Sequence, residues 1–146
     1  MFSMTPSDKR RDQSAAYASI GLETGVPNAS PHRLILMLFD GALLAIAKAG
    51  KAMDERQIAE KGQEISRAID IISCGLRASL DFTAGDDLPY RLAALYDYFC
   101  NRLLHANLNN DRGALREVAG LLSEIKTAWA ELADDPAVAS RNKSAA

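Results

Sequence analysis

His32, His105, Cys74 and Cys100 are the only imidazoles and thiols in this chain of 146 residues, and each chemistry they could support asks for a spacing that can be checked. A di-iron centre in a helical bundle uses Glu-x-x-His pairs projecting inward. Ala29 stands three residues before His32 and Arg102 three before His105. Haem attachment through Cys-x-x-Cys-His and zinc chemistry through His-Glu-x-x-His both lack their motif. Ser30 lies close to His32, but a nucleophile needs its base delivered from a second element, and a helix cap accounts for Ser30. His32 is therefore expected at the surface or in a cap, and His105 near a helix C-terminus, where positive charge suits the dipole. The two cysteines read as buried free thiols; a disulfide would require their helices to meet at that level. These residues point to a protein with no catalytic centre, no cofactor and no metal.

The elements around them are helical. Ser30-Pro31 is a strong start signal, because Ser caps the first free amides and Pro has no N–H to leave unsatisfied. The run Leu34 to Ala47 that follows is apolar nearly all round, with Asp40 its only charge. It is interrupted too soon to span a bilayer, which takes about 20 apolar residues. Such a helix is either the buried centre of a bundle or buries one face and offers another. Asp40 is expected to pair with a basic residue on a neighbouring helix or to edge an exposed groove.

A second helix is expected from Asp54, with Gln57 as a capping-box variant and a core stripe of Ile58, Ile65, Ile69, Ile72, Leu76 and Leu80. A third starts near Asp87, with Pro89 tolerated in its first turn, and carries Leu88, Leu92, Leu95, Phe99, Leu103 and Ala106. Asp111 can cap a fourth, whose heptad is Leu115, Val118, Leu122, Ile125, Trp129 and Leu132, with Trp129 expected in the core. Four such helices on short connections predict an all-α, antiparallel up-down four-helix bundle over residues 30–133. Residues 1–29 read as a flexible, partly disordered segment with a short helix near 8–20, and 134–146 as a disordered tail.

Two features exceed what a minimal bundle needs. A second apolar set lies on helix two (Ile71, Cys74, Ala78) and on helix three (Ala93, Tyr96, Cys100, Leu104), beyond the three in seven that a bundle helix requires. Six glycines, at 41, 50, 62, 75, 113 and 120, fall inside predicted helices, each costing about 1 kcal/mol relative to Ala. Either helices cross closely there or the bundle is soft. The net charge of −2 and the short basic cluster Lys9-Arg10-Arg11 give no footprint for nucleic acid. The opening residues hold no apolar signal segment, which suggests a cytoplasmic protein without membrane insertion.

Four blocks of sequence resemble the flagellar secretion chaperones of the FliS type. They are Ser30-Pro31-His32-x-Leu34-Ile35-x-Met37-Leu38-Phe39-Asp40-Gly41-Ala42, with Tyr17 and Glu23-Thr24 before it; Lys61-Gly62 with Ala68-Ile69-x-Ile71-Ile72-x-x-Gly75-Leu76; Leu95-Tyr96-Asp97-Tyr98 through Asn107-Leu108 to Asn110-Asp111; and Glu117-Val118, Leu121-Leu122 and Ala128-Trp129. The departures are Phe39, where Tyr is also common, Phe99 and Cys100 in place of aliphatic residues, and Pro89. The resemblance implies a chaperone that holds the disordered C-terminal segment of flagellin, prevents premature polymerisation and delivers its client to the flagellar export apparatus. Helix-in-groove recognition of that kind needs surplus apolar surface on the receiver, which the doubled stripes provide.

On this basis the expected partner-binding residues are Ile35, Leu38, Phe39 and Ala42 on helix one, Ile71 and Cys74 on helix two, and Tyr96, Cys100 and Leu104 on helix three. Tyr17 is expected to fill the same groove when no client is present. No nucleotide is required. The competing expectation is a structural or signalling bundle whose second stripes serve self-association; the chaperone reading implies a monomer or weak homodimer.

Overall fold

Ser30 starts the first helix as its position predicts, its Oγ accepting from the Arg33 amide at 3.1 Å, with Pro31 in the first turn. The computed structural model describes residues 29–132. The expected N-terminal helix, Tyr17 and the C-terminal tail lie outside the described residues. Within them the chain forms α1 (Pro31–Asp54), α2 (Ile58–Asp70), α3 (Leu88–Asn109) and α4 (Arg112–Glu131). The path of α2 continues as a π-helical stretch, Ile71–Leu76, and a 3₁₀ turn, Arg77–Ser79.

Side-chain pairs between helices fix the topology. Phe39 and its neighbours on α1 face α2 and α4, and Leu38 lies beside Gly75 while Gly41 lies beside Ile71. Arg77 bonds Asp97, and Lys61 reaches Asn107, so α2 and α3 run antiparallel. His32 meets Trp129 and Arg112 meets Asp54, which sets α4 antiparallel to α1. Each helix packs on its two sequence neighbours, with α4 closing on α1, as an up-down four-helix bundle requires. The core is continuous, from Leu38, Phe39 and Leu76 through Ile72 and Phe99 to Leu103, Ala106, Leu115 and Leu122.

The second helix starts later than Asp54. α1 runs through Asp54, Arg56 takes φ 58°, and α2 begins at Ile58 with no side-chain cap from Gln57. Backbone bonds make this turn: the Gln57 amide donates to Ala52 O at 2.8 Å and the Arg56 amide to Met53 O at 3.2 Å. That pair is a Schellman motif, which ends a helix through a left-handed residue. Ile58, expected in the core, is consequently 76% exposed. The α3–α4 turn repeats the device, with Asn110 left-handed and the Asp111 amide donating to Ala106 O at 3.1 Å. Asp111 then caps α4 as expected, accepting from the Ala114 amide at 3.1 Å.

The third helix also departs from its expected stripe. Leu88 is 59% exposed, while Ala93 and Tyr96, assigned to a second set, are core. At α4 the heptad holds through Leu122, but Ile125 and Trp129 are only partly buried and Leu132 is exposed. Cys74 is exposed and Cys100 half-buried, so the expectation of two buried thiols fails at Cys74; both are free. A Cβ on Gly75 would lie 2.9 Å from Leu38 Cδ2, and one on Gly41 3.3 Å from Ile71, whereas Gly62 and Gly120 face open space. Close crossing explains the first two glycines and not the last two. Among the described residues no helix is long and apolar enough to cross a membrane.

Candidate functional site

A groove opens at one end of the bundle, where α1 and α3 begin and α2 and α4 end. α1 supplies Ile35 and Phe39; the stretch that continues α2 supplies Leu76, Ser79 and Leu80; α3 supplies Leu88, Leu92 and Tyr96; α4 and the residue after it supply Glu124, Ile125, Ala128, Trp129 and Leu132. Its volume is about 460 Å³, and of its thirteen lining residues only Glu124 is charged. Pockets of this size and character take apolar groups.

The groove exists because the fourth wall arrives late. The α2–α3 connection is the longest in the bundle, and residues 81–87 are exposed throughout. It is organised locally: Asp81 Oδ1 accepts from the Thr83 amide at 2.9 Å, and Asp86 Oδ1 from the Leu88 amide at 2.7 Å. α3 thus begins at Leu88, which is exposed at the groove rim, while Pro89 beside it is buried. On the facing side the π-helical stretch changes the winding of α2 before its end, which resets the faces of the residues that follow. Ser79 Oγ donates to Gly75 O at 2.5 Å and ties off this stretch. Leu38 occupies the room that Gly75 leaves, which closes the crossing of α1 with this stretch.

Of the sequence-predicted residues, Ile35, Phe39 and Tyr96 line the groove. Phe39 and Tyr96 are buried and form its floor; the Tyr96 ring tilts against Phe99 at 6.2 Å, and burial pushes its hydroxyl up to about 12. Leu38, Ala42 and Ile71 are closed into the core and lie outside the lining. Cys74 and Cys100 belong to the α2–α3 seam instead, where Cys100 Sγ faces Ile69 O at 4.0 Å. Burial first, then Asp97, pushes the Cys100 thiol up to about 11, so little thiolate forms near neutrality. Leu104 is half exposed and outside the groove. Tyr17 lies outside the described residues.

The lining residues that periodicity missed were assigned to core stripes: Leu76, Leu80, Leu88, Leu92, Ile125, Trp129 and Leu132. Spacing marks an apolar face but not whether something faces it. The available signal was position, since every one of them lies at the helix ends beside the long connection or beside the end of α4.

Two polar features frame the site, and a third lies at the opposite end of the bundle. His32, expected at the surface or in a cap, is 5% exposed and stacks on Trp129, with ring centroids 4.9 Å apart and planes 11° from parallel. Two hydrogen bonds cross between the same residues: Trp129 Nε1–H donates to His32 O at 3.1 Å, and His32 Nε2 lies 2.7 Å from Trp129 O. A carbonyl only accepts, so Nε2 carries the proton. Asp40 pairs with Lys126 at 2.5 Å across α1 and α4, which is the first of the two placements expected for it. At the far end, Lys61 is buried and its Nζ donates to Asn107 O at 3.0 Å and Asn110 Oδ1 at 2.6 Å. A cation there satisfies free carbonyl groups and the negative end of the α3 dipole. Among the described residues no group of His, Cys, Asp and Glu is placed to hold a metal ion.

A family model described as "Flagellar protein FliS" matches residues 13–136. The flagellar secretion chaperone FliS of Salmonella typhimurium is 47% identical over 117 residues, covering 80% of this chain and 87% of that protein. The protein of the same name from Escherichia coli is 47% identical over 116 residues, 80% and 85% of the two chains. That of Bacillus subtilis is 34% identical over 109 residues, 73% and 78%.

Proposed function

The chain belongs to the FliS family of flagellar secretion chaperones, and from that premise we propose that it is a cytoplasmic, ATP-independent export chaperone for flagellin. It binds the disordered C-terminal segment of flagellin as helix, keeps it from polymerising early, and aids its passage to the flagellar type III secretion apparatus. It acts by binding alone and is not an enzyme. The observation that carries this reading is the apolar groove between the four helix ends, with Ile35, Leu88, Leu92, Ile125 and Trp129 around a floor of Phe39 and Tyr96. An amphipathic helix offers side chains at i, i+3, i+4 and i+7 along one face, and an apolar groove accepts such a row. Ordering the client costs about 2–5 kcal/mol, which burial of apolar area at about 25 cal/mol per Å² offsets once a few large side chains are seated.

The test is calorimetric titration of the full chain with a peptide spanning the C-terminal segment of flagellin, with far-UV circular dichroism on the same mixture. The expected result is saturable one-to-one binding with a gain in helicity. No binding at tens of micromolar, from a chain that is itself a stable dimer, would replace the reading with the self-associating bundle.

A further inference from the structure

The last two turns of α4 provide a groove wall through Ala128, Trp129 and Leu132, yet helix ends fray unless something holds them. Lys126 pairs with Asp40 of α1 one turn earlier; beyond it, the hydrogen bonds that reach the final turn run to His32. Ser30 and Pro31 fix the first turn of α1 by capping and by a preset φ, so His32 projects from a rigid platform. Its ring covers one face of the indole, its Nε2–H holds the Trp129 carbonyl, and its own carbonyl takes the indole N–H. The indole is thereby fixed in position and tilt, with its remaining surface turned to the groove. The triplet Ser30-Pro31-His32 thus has one physical purpose in three parts: cap, start and clasp.

We propose that His32 is a positioning residue for the groove: it holds the end of α4 and the Trp129 ring in the geometry that receives an apolar helical segment. It touches no client itself and acts through Trp129. The part of this proposal that concerns the client rests on the function proposed above; the part that concerns α4 does not. Two readouts keep them apart. The chain has a single Trp, so the indole N–H gives one unambiguous proton signal, and its exchange with solvent reports the clasp with no client present.

In the full chain, His32→Leu removes the donor and the aromatic face, whereas His32→Gln keeps an N–H donor near the position of Nε2. The expected result is indole and α4 terminal amide exchange at least tenfold faster in His32→Leu, with amides of Ile65 and Leu103 unchanged, and recovery to within threefold of wild type in His32→Gln. Binding of the flagellin C-terminal peptide should weaken about tenfold in the Leu variant and return in the Gln variant. Unchanged exchange in His32→Leu overturns the proposal, as does a uniform rise across all four helices, which would mean general destabilisation. Should wild type fail to bind the peptide while the exchange pattern appears, the clasp stands and the chaperone reading fails. Should wild type bind and both variants bind equally well, the positioning role fails and the chaperone reading stands.

Discussion

The two ends of the bundle are built on opposite plans. At the groove end the helices present large apolar side chains across a gap, and α1 and α4 are tied by the His32–Trp129 clasp and the Asp40–Lys126 pair. At the other end small residues on facing surfaces, Ala45, Ala49 and Ala52 on α1, Ala106 on α3 and Ala114 on α4, let the helices approach until they are almost without exposed surface. There the connections are two tight Schellman turns, Lys61 covers the end of α3, and Arg112 pairs with Asp54 at 3.2 Å. A dent of about 340 Å³ remains beside Lys61 and Asn110, but its walls include Arg56 and Gln57. The difference is between an end built for close packing and an end left open, and on the proposed function the open end is the one that receives the client. Short loops and small residues close one end, and a long loop with large residues leaves the other unfilled.

The sharpest way to break this division is to truncate one leucine at each end. Leu103 is fully buried in the closed half, and Leu103→Ala should cost about 2–5 kcal/mol by lost burial and a residual cavity. Leu88 is on the groove rim, and Leu88→Ala should stay within about 0.5 kcal/mol in stability while weakening the flagellin peptide severalfold. Denaturant titration and peptide titration of both variants measure this. Similar stability losses at the two positions would mean that the groove is core in solution.

Lys61 tests whether the closed end depends on its buried cation. Lys61→Met preserves the stem and removes the charge, leaving Asn107 O and Asn110 Oδ1 without their donor. Hydrogen bonds to charged groups are worth about 1.5–3 kcal/mol, so a loss of that size is expected in chemical denaturation. Peptide binding should be unaffected.

Much of the fold was legible, and the reasons are local. Ser30, Pro31, Pro89 and Asp111 act within one helical turn, so their types announce the helix starts they make. The start of α2 was misplaced because a Schellman turn built on Arg56 leaves no side-chain signature, where Gly would have. The groove was half legible: the surplus apolar residues announce more apolar surface than a core needs, but not where it opens, and of the second stripes only Tyr96 lines it. Leu38, Ala42 and Ile71 share the apolar pattern of Ile35 and Phe39, and only the arrangement of neighbouring helices separates them. His32 was misread because its partner is 97 residues away. Periodicity carries no information about a contact at that distance.

Glycines sharpen the comparison at smaller energies. A Cβ on Gly75 meets Leu38, a side chain with no room to move, so Gly75→Ala should destabilise by about 1–3 kcal/mol through overpacking. A Cβ on Gly50 collides with the Arg112 guanidinium, the far end of a flexible side chain. Gly50→Ala should therefore displace Arg112 from Asp54, a half-exposed pair worth about 0–1 kcal/mol. It gains about 1 kcal/mol of helix propensity, for a net change near zero. Equal destabilisation of the two variants would mean that both crossings are equally rigid.

The smallest effect expected is a gain. Arg56 holds φ 58° at the end of α1, where a side chain presses its Cβ toward the following carbonyl at a cost of about 1–2 kcal/mol. Gly removes that strain but loses more entropy on folding, which returns about 0.5–1 kcal/mol. Arg56→Gly should then stabilise the chain by about 0.5–1 kcal/mol, raising Tm by a few degrees. Asn110 has the same left-handed backbone, but its side chain accepts from Lys61. Asn110→Gly relieves less strain and breaks that bond, so its sign should be negative. Two left-handed turns, glycine at both and opposite outcomes would show that the closed end is held by Lys61 and not by the turns themselves; a gain at both positions would assign the stability to backbone geometry alone.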